Sequence, residues 1–134
     1  MEILNIKKAL ERHLVTNAGS TKIAFEGVSF KPPTGLYLVC QFSNPRATDP
    51  TIGRDYHREQ LTFQVFVMDV SGKGTSNALA YAENIRSWFA KGSVWNESGT
   101  RIQVLETPNI AGVTILNDRV MVPVLISVTA DVYS

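Results

Sequence analysis

Few residues in this 134-residue chain have the types and spacing that catalysis, metal binding or phosphate binding requires. The glycine-rich turn Gly72–Thr75 precedes a predicted helix, and such a turn can cradle a phosphate at a helix N-terminus. A P-loop needs a glycine five positions before its Gly-Lys pair and a hydroxyl residue after the lysine, but Val67 and Gly74 occupy those positions. We therefore interpret the glycines as a tight connection, with Thr75 or Ser76 capping the helix.

Asp49, Asp55 and His57 form a candidate metal cluster. Their spacing fits no known metal site, and Arg54 and Arg58 lie among them with a charge that repels a cation. The sequence therefore predicts neither a bound metal nor another cofactor.

The single cysteine and one of the histidines have no catalytic setting. Cys40 falls on the inward-facing series of a predicted strand with no histidine obviously placed as its base, so we expect a small buried hydrophobe. His13 lies alone beside the apolar stripe of the first predicted helix, which indicates a boundary residue. An enzyme would need paired acids, a nucleophile with its base, or a ligand cluster, so the sequence predicts a protein without catalytic activity.

Composition limits the possible partners. The chain carries 13 Lys and Arg against 12 Asp and Glu, which gives a net charge of +1 and no excess to hold a polyanion or an acidic membrane. No apolar run approaches the length of a membrane span. One cysteine forms no intramolecular disulfide, and no secretion signal opens the chain, so we expect assembly in a reducing cytoplasm. The length predicts one domain, residues 1–134.

A strand and a helix between Glu59 and Gly92 organise the prediction. Alternation predicts a strand with a core face of Leu61, Phe63, Val65 and Val67. Its other face turns from polar to apolar at Phe66 and Met68, which predicts a cover there from the chain or from another subunit. The helix carries one apolar face, composed of Ala78, Tyr81, Ala82, Ile85, Trp88 and Phe89. We predict that Ile85, Phe89, Phe63 and Val65 share one core.

The other segments complete an α+β pattern. They are a helix over 2–15, an extended segment over 23–30, strands over 36–42, 94–95, 100–106 and 120–132, and a partly extended stretch over 113–116. Pro123 cannot donate a ladder bond, so it indicates a bulge or an edge in the last strand. The order predicts a single two-layer domain, a mixed or antiparallel β-sheet with two helices packed on one face.

Residues 43–58 hold two prolines, one glycine and five charges of mixed sign. Such a segment buries too little apolar surface to order itself, which predicts a long mobile loop. Two interpretations remain open, a partner-contacting loop and a solvated hairpin connection, and we favour the first. The predicted interface residues are six from this segment and two from the open sheet face: Arg46, Asp49, Arg54, Asp55, His57, Arg58, Phe66 and Met68.

Taken in order, these landmarks resemble the tail terminator-like proteins of long-tailed bacteriophages over essentially the whole chain. The matching pieces are Ile6, Ala9 and Leu10, then Ile23-Ala24-Phe25-Glu26 leading to Phe30-Lys31-Pro32-Pro33-Thr34-Gly35-Leu36, the Gly72-x-Gly74 turn with its helix, and Val122-Pro123-Val124. No piece is specific alone, but their order and spacing are.

The resemblance implies a structural protein of the virion tail, assembled in the host cytoplasm. It implies a ring, typically hexameric in relatives, that binds the end of the finished tail tube, stops its polymerisation and offers a docking surface to the head connector. The implied partners are further copies of the chain, the tail tube protein and connector proteins, with DNA only passing through the lumen and no membrane.

Other functions stay open from sequence alone. Another phage neck or head-completion protein uses a similarly small fold. A small-ligand-binding domain or an enzyme of unknown activity is a more distant alternative, which a monomer that binds a metabolite would support.

Overall fold

A computed structural model describes residues 2–48, 56–70, 74–97, 99–116 and 118–133. The helices are α1 (Glu2–Ala18) and α2 (Ser76–Trp88). The strands are β1 (Lys22–Ala24), β2 (Tyr37–Thr48), β3 (Tyr56–Val70), β4 (Val94–Glu97), β5 (Thr100–Val104), β6 (Asn109–Ile110), β7 (Thr114–Leu116) and β8 (Arg119–Tyr133). Within these residues, no helix is long and apolar enough to cross a membrane.

The strands form one mixed sheet in the order β1-β2-β3-β8-β5-β4, with β6 and β7 also paired to β8. β1 runs parallel to β2, and every other pair is antiparallel. β3 and β8 pair along their whole length, from Tyr56 opposite Tyr133 to Val70 opposite Arg119. The predicted mixed sheet is confirmed, and these two long strands are its centre.

Pro123 does not mark an edge, because β8 is paired on both sides. On the side away from β3, β8 meets β5, then β6, then β7. The Ala111 N–H donates to the Pro123 carbonyl over 2.9 Å, and the next ladder pair begins only at Thr114. Because the N–H and C=O of a residue in an antiparallel strand face the same neighbour, the missing donor of Pro123 faces this break in the ladder. The break in pairing that accommodates Pro123 therefore lies in the segment between β6 and β7, and not in β8 itself.

Both helices pack on one face of the sheet, as predicted. α1 contributes Ile6, Leu10 and Leu14, and α2 contributes Ala78, Ala82 and Ile85, all fully buried. Ile85, Phe89, Phe63 and Val65 share this core, which confirms the predicted cluster. The rings of Phe63 and Phe89 meet edge to face with centroids 5.7 Å apart, a favoured aromatic geometry.

The predicted loop over 43–58 is largely strand in the described residues. β2 continues to Thr48, which pairs with Arg58, with an irregularity between Ser43 and Arg46. Sequence composition suggested a loop, but β8 backs β3 along this whole stretch and supplies a template for pairing. We call residues 43–48 and 56–60 the arm. Residues 49–55 lie outside the described residues.

Two local predictions were wrong. Of the extended segment predicted over 23–30, only Ile23 and Ala24 belong to a strand (β1), because the chain turns at Gly27, whose φ of 72° suits glycine. Thr75 is the N-cap residue of α2, but neither its side chain nor that of Ser76 supplies the predicted cap; the Thr75 carbonyl instead accepts the Leu79 N–H.

Candidate assembly surface

The sheet face opposite the helices, which we call the outer face, is covered by no helix of the described chain. Its apolar end is built from partly buried side chains of three neighbouring strands. Val39, Phe66 and Pro123 lie side by side in the ladder, and Met68 lies opposite Met121. The predicted interface residues Phe66 and Met68 are therefore part of one apolar patch.

A turn is pinned against this apolar end. The Arg119 guanidinium donates to the carbonyls of Pro33 and Gly35 over 2.6 and 3.0 Å. It also lies 5.2 Å from the centroid of the Tyr37 ring, which a cation favours. Phe30 also packs against the Tyr37 ring, with centroids 5.4 Å apart. The proline-rich turn is thus held in place by one arginine.

The middle of the outer face is polar and uncharged. Gln41 donates its side-chain N–H to the Gln64 oxygen over 2.8 Å across β2 and β3. Ser43 lies opposite Thr62, and its buried hydroxyl has no partner among the described residues. A buried hydroxyl without a partner costs about 1–3 kcal/mol, so Ser43 is an unsatisfied position at the base of the arm.

At the arm, the outer face ends in a charged cluster centred on Asp131. Its carboxylate accepts a hydrogen bond of 2.6 Å from the Tyr56 hydroxyl and one of 3.0 Å from the Arg58 Nε. Arg101 lies directly across the β5–β8 pair. Burial alone would raise the pKa of Asp131, but these hydrogen bonds and the two guanidinium charges hold it below its ordinary value. The hydrogen bond to Asp131 in turn raises the pKa of Tyr56.

His57 faces the opposite way. It lies on the helix side of the arm, with its Nε2 3.2 Å from the Glu59 carboxylate. Glu59 is nearly buried, and its backbone carbonyl accepts the Thr129 hydroxyl. The neighbouring predicted residues His57 and Arg58 therefore belong to different faces and do not form one contact surface.

The remaining predicted interface residues are placed only partly. The backbone of Arg46 pairs with Gln60 in the arm. Asp49, Arg54 and Asp55 lie outside the described residues. Sequence reasoning missed Tyr56, Arg101 and Asp131, because strand register brings them together from three distant segments and nothing in their spacing signals it.

Cys40 and His13, the residues whose side chains could react, are held in structural contacts. Cys40 is buried, and burial raises the pKa of its thiol to about 12, so it remains protonated near neutral pH as a small core residue, as predicted. The His13 Nε2 lies 2.7 Å from the Trp88 carbonyl, and its ring packs against Phe89 and Trp95. Across the described ranges, no three His, Cys, Asp or Glu side chains are grouped to hold a metal ion.

Comparisons with known proteins agree with this architecture. A family model described as phage tail terminator protein matches residues 5–128. A solved structure of a protein without a functional name has the same fold, with a TM-score of 0.79 and 23% identity over 100% of this chain and 99% of that chain. No curated protein sequence matches the chain.

Proposed function

Because the chain belongs to the phage tail terminator family and is thus a structural tail component, we propose that it terminates the tail tube. In this role it forms a ring, of the hexameric kind that the resemblance implies, on the end of the finished tube. The ring stops further polymerisation and offers a docking surface to the head connector. The observation that carries the proposal is the family match over residues 5–128.

The outer face supports an assembly role. The side chains of this face include Phe66, Met68, Met121 and Leu125, all partly exposed. A contiguous apolar patch of this kind is normally covered by a partner. The graded composition, apolar at one end and charged at the arm, suits a contact whose apolar part supplies affinity and whose charges set register. A neighbouring subunit or the tube end is the proposed cover.

The arm supports the same role. It extends the β2–β3 hairpin beyond Val39, the last residue that pairs with β1, so from Cys40 onward no strand of the described residues pairs with the outer edge of β2. Glu26 covers part of that edge by accepting the Phe42 N–H over 2.7 Å. We propose that the arm and residues 49–55 contact the tube end or a neighbouring subunit, with Arg46, Asp49, Arg54 and Asp55 supplying complementary charge.

The structure changes how this contact is best tested. Reversing both Arg54 and Arg58 to Glu would disturb the fold, because Arg58 binds Asp131 and Arg58→Glu would place two carboxylates together. The single substitution Arg54→Glu keeps Arg58 and therefore its ion pair with Asp131. Lys91→Glu is a matched control, because Lys91 is exposed after α2 and carries the same charge change.

We expect Arg54→Glu to melt like the parent protein and to weaken docking on the tube. In an infection with the altered gene, electron microscopy would then show tails of excess length and full heads without tails, while Lys91→Glu gives normal particles. Normal-length tails joined to heads in the Arg54→Glu infection would show that this segment is not the contact.

A further inference from the structure

The outer edge of β2 loses its neighbouring strand partway along. β1 pairs with β2 only as far as Val39, whereas β2 continues to Thr48. Just past Val39, the Phe42 N–H donates to the Glu26 carboxylate over 2.7 Å. One acidic side chain therefore lies where a neighbouring strand would otherwise pair.

The register of β1 and β2 shows what this carboxylate replaces. Ala24 lies opposite Val39 in the parallel pair, so a longer β1 would place Glu26 opposite Gln41. In a parallel ladder of that register, the Phe42 N–H would donate to the backbone carbonyl of Glu26. The side-chain carboxylate of the same residue occupies that acceptor position instead.

A tight turn brings the carboxylate to this position. After Ala24 the chain leaves the sheet and turns at Gly27, and the Val28 N–H donates to the Phe25 carbonyl over 3.2 Å. Phe25 packs against the core and anchors the turn, while Glu26 is exposed. The backbone thus turns away from β2 and leaves the Glu26 side chain on its edge.

The part of the edge that Glu26 covers has a sequence that favours pairing with other strands. Residues 36–42 are Leu-Tyr-Leu-Val-Cys-Gln-Phe, a run without a charge, a proline or a glycine. Such runs pair with other chains when they lie on an open edge. Beyond Ser43 the edge is interrupted, because the ladder is irregular there and Pro45 has no N–H to donate. The stretch 40–43 is therefore the part of this edge that needs cover.

A second copy of the chain is the strand that such an edge would recruit. Two identical β2 edges can pair antiparallel about a twofold axis, with a carbonyl of one copy accepting the Phe42 N–H of the other. The Glu26 carboxylate already occupies that acceptor position. Pairing would also bring the Glu26 carboxylates of both copies toward the same edge, where like charges repel.

We propose that Glu26 blocks this edge: its carboxylate occupies the acceptor position beside Phe42 and prevents the chain from pairing with a second copy through β2. Acidic side chains on open edges are one means by which sheet proteins avoid edge-to-edge association. The proposal does not depend on the terminator function.

Removing the carboxylate tests the proposal. In a dilute sample, Glu26→Ala should raise the hydrogen-exchange rate of the Phe42 amide about 3- to 10-fold, because one exposed hydrogen bond is lost. At higher concentration, Glu26→Ala should self-associate about 10- to 100-fold more tightly than the parent in sedimentation, because both edges of a pair lose the carboxylate. The Phe42 amide should then exchange slowly again, since it donates to the second copy.

Two further variants separate blocking from other effects. Glu83→Ala is the matched control, because Glu83 is exposed on α2 and its loss changes the net charge equally. Any association of the parent, such as ring formation, should be shared by this control. Glu26→Gln keeps an acceptor oxygen without the charge, so it should lie between the parent and Glu26→Ala in both measurements. Since Glu26 is exposed, the melting temperature of each dilute variant should change little.

Three results would overturn the proposal. The first is a Phe42 amide that exchanges equally fast in the parent and in Glu26→Ala. The second is a Glu26→Ala protein that associates no more tightly than Glu83→Ala, which would leave Glu26 with a role in the turn alone. The third is an associated Glu26→Ala sample whose Phe42 amide still exchanges fast, because the two copies would then pair elsewhere.

Discussion

Replacing Ile85 by Ala tests the placement of α2 on the sheet. Ile85 is fully buried and packs in the core with Phe63 and Phe89. The change removes three buried carbons, about 0.8 kcal/mol each or about 2.4 kcal/mol of transfer free energy. The residual cavity adds about 24 cal/mol for each Å³ that the core does not refill, which gives about 2–5 kcal/mol in total. That is a large part of the about 5–15 kcal/mol of a typical domain.

Urea and thermal unfolding measure this loss. At about 4 °C per kcal/mol for a chain of this length, the melting temperature of Ile85→Ala should fall by about 8–20 °C. Asn84→Ala, one residue earlier on the exposed side of the same helix, is the matched control and should change it little. If the two variants melt alike, the helix does not pack as described.

The remaining predictions concern Asp131. Asp131→Asn should lower the free energy of unfolding by about 1–2 kcal/mol at pH 7, because it removes a charge-assisted bond to a half-exposed Arg58 and weakens the bond from Tyr56. The pKa of Asp131 is lowered in the folded state, so its stabilisation is present above the ordinary value of 3.8 and is lost as the pH falls through the folded value. The difference in melting temperature between parent and variant should therefore be largest near neutral pH and shrink below about pH 4; a difference that stays constant to pH 2 would contradict the role of the charge.

The periodic elements could be predicted because their patterns are local. Alternation around Phe63 and the spacing that ends at Phe89 depend on the two faces of one strand and one helix, and both were confirmed. The strands over 94–95 and 100–106 were also predicted from local patterns, and they are found as the paired strands β4 and β5.

Features that depend on distant segments could not be predicted. The arm resembled a loop because its composition is polar, and only the long backing strand β8 makes it pair. The Asp131 cluster joins three strands through register, and register is not visible in single segments. Pro123 indicated a bulge or an edge in the last strand, because the sequence does not show that the neighbouring chain breaks opposite it.

The length of tails in an infection that lacks this gene tests the central claim most directly. The account predicts tubes that grow past their normal length, measured by electron microscopy, with full heads left unattached, and restoration of normal particles when the gene is supplied in trans. Tails of normal length joined to heads in the absence of the gene would contradict the terminator function.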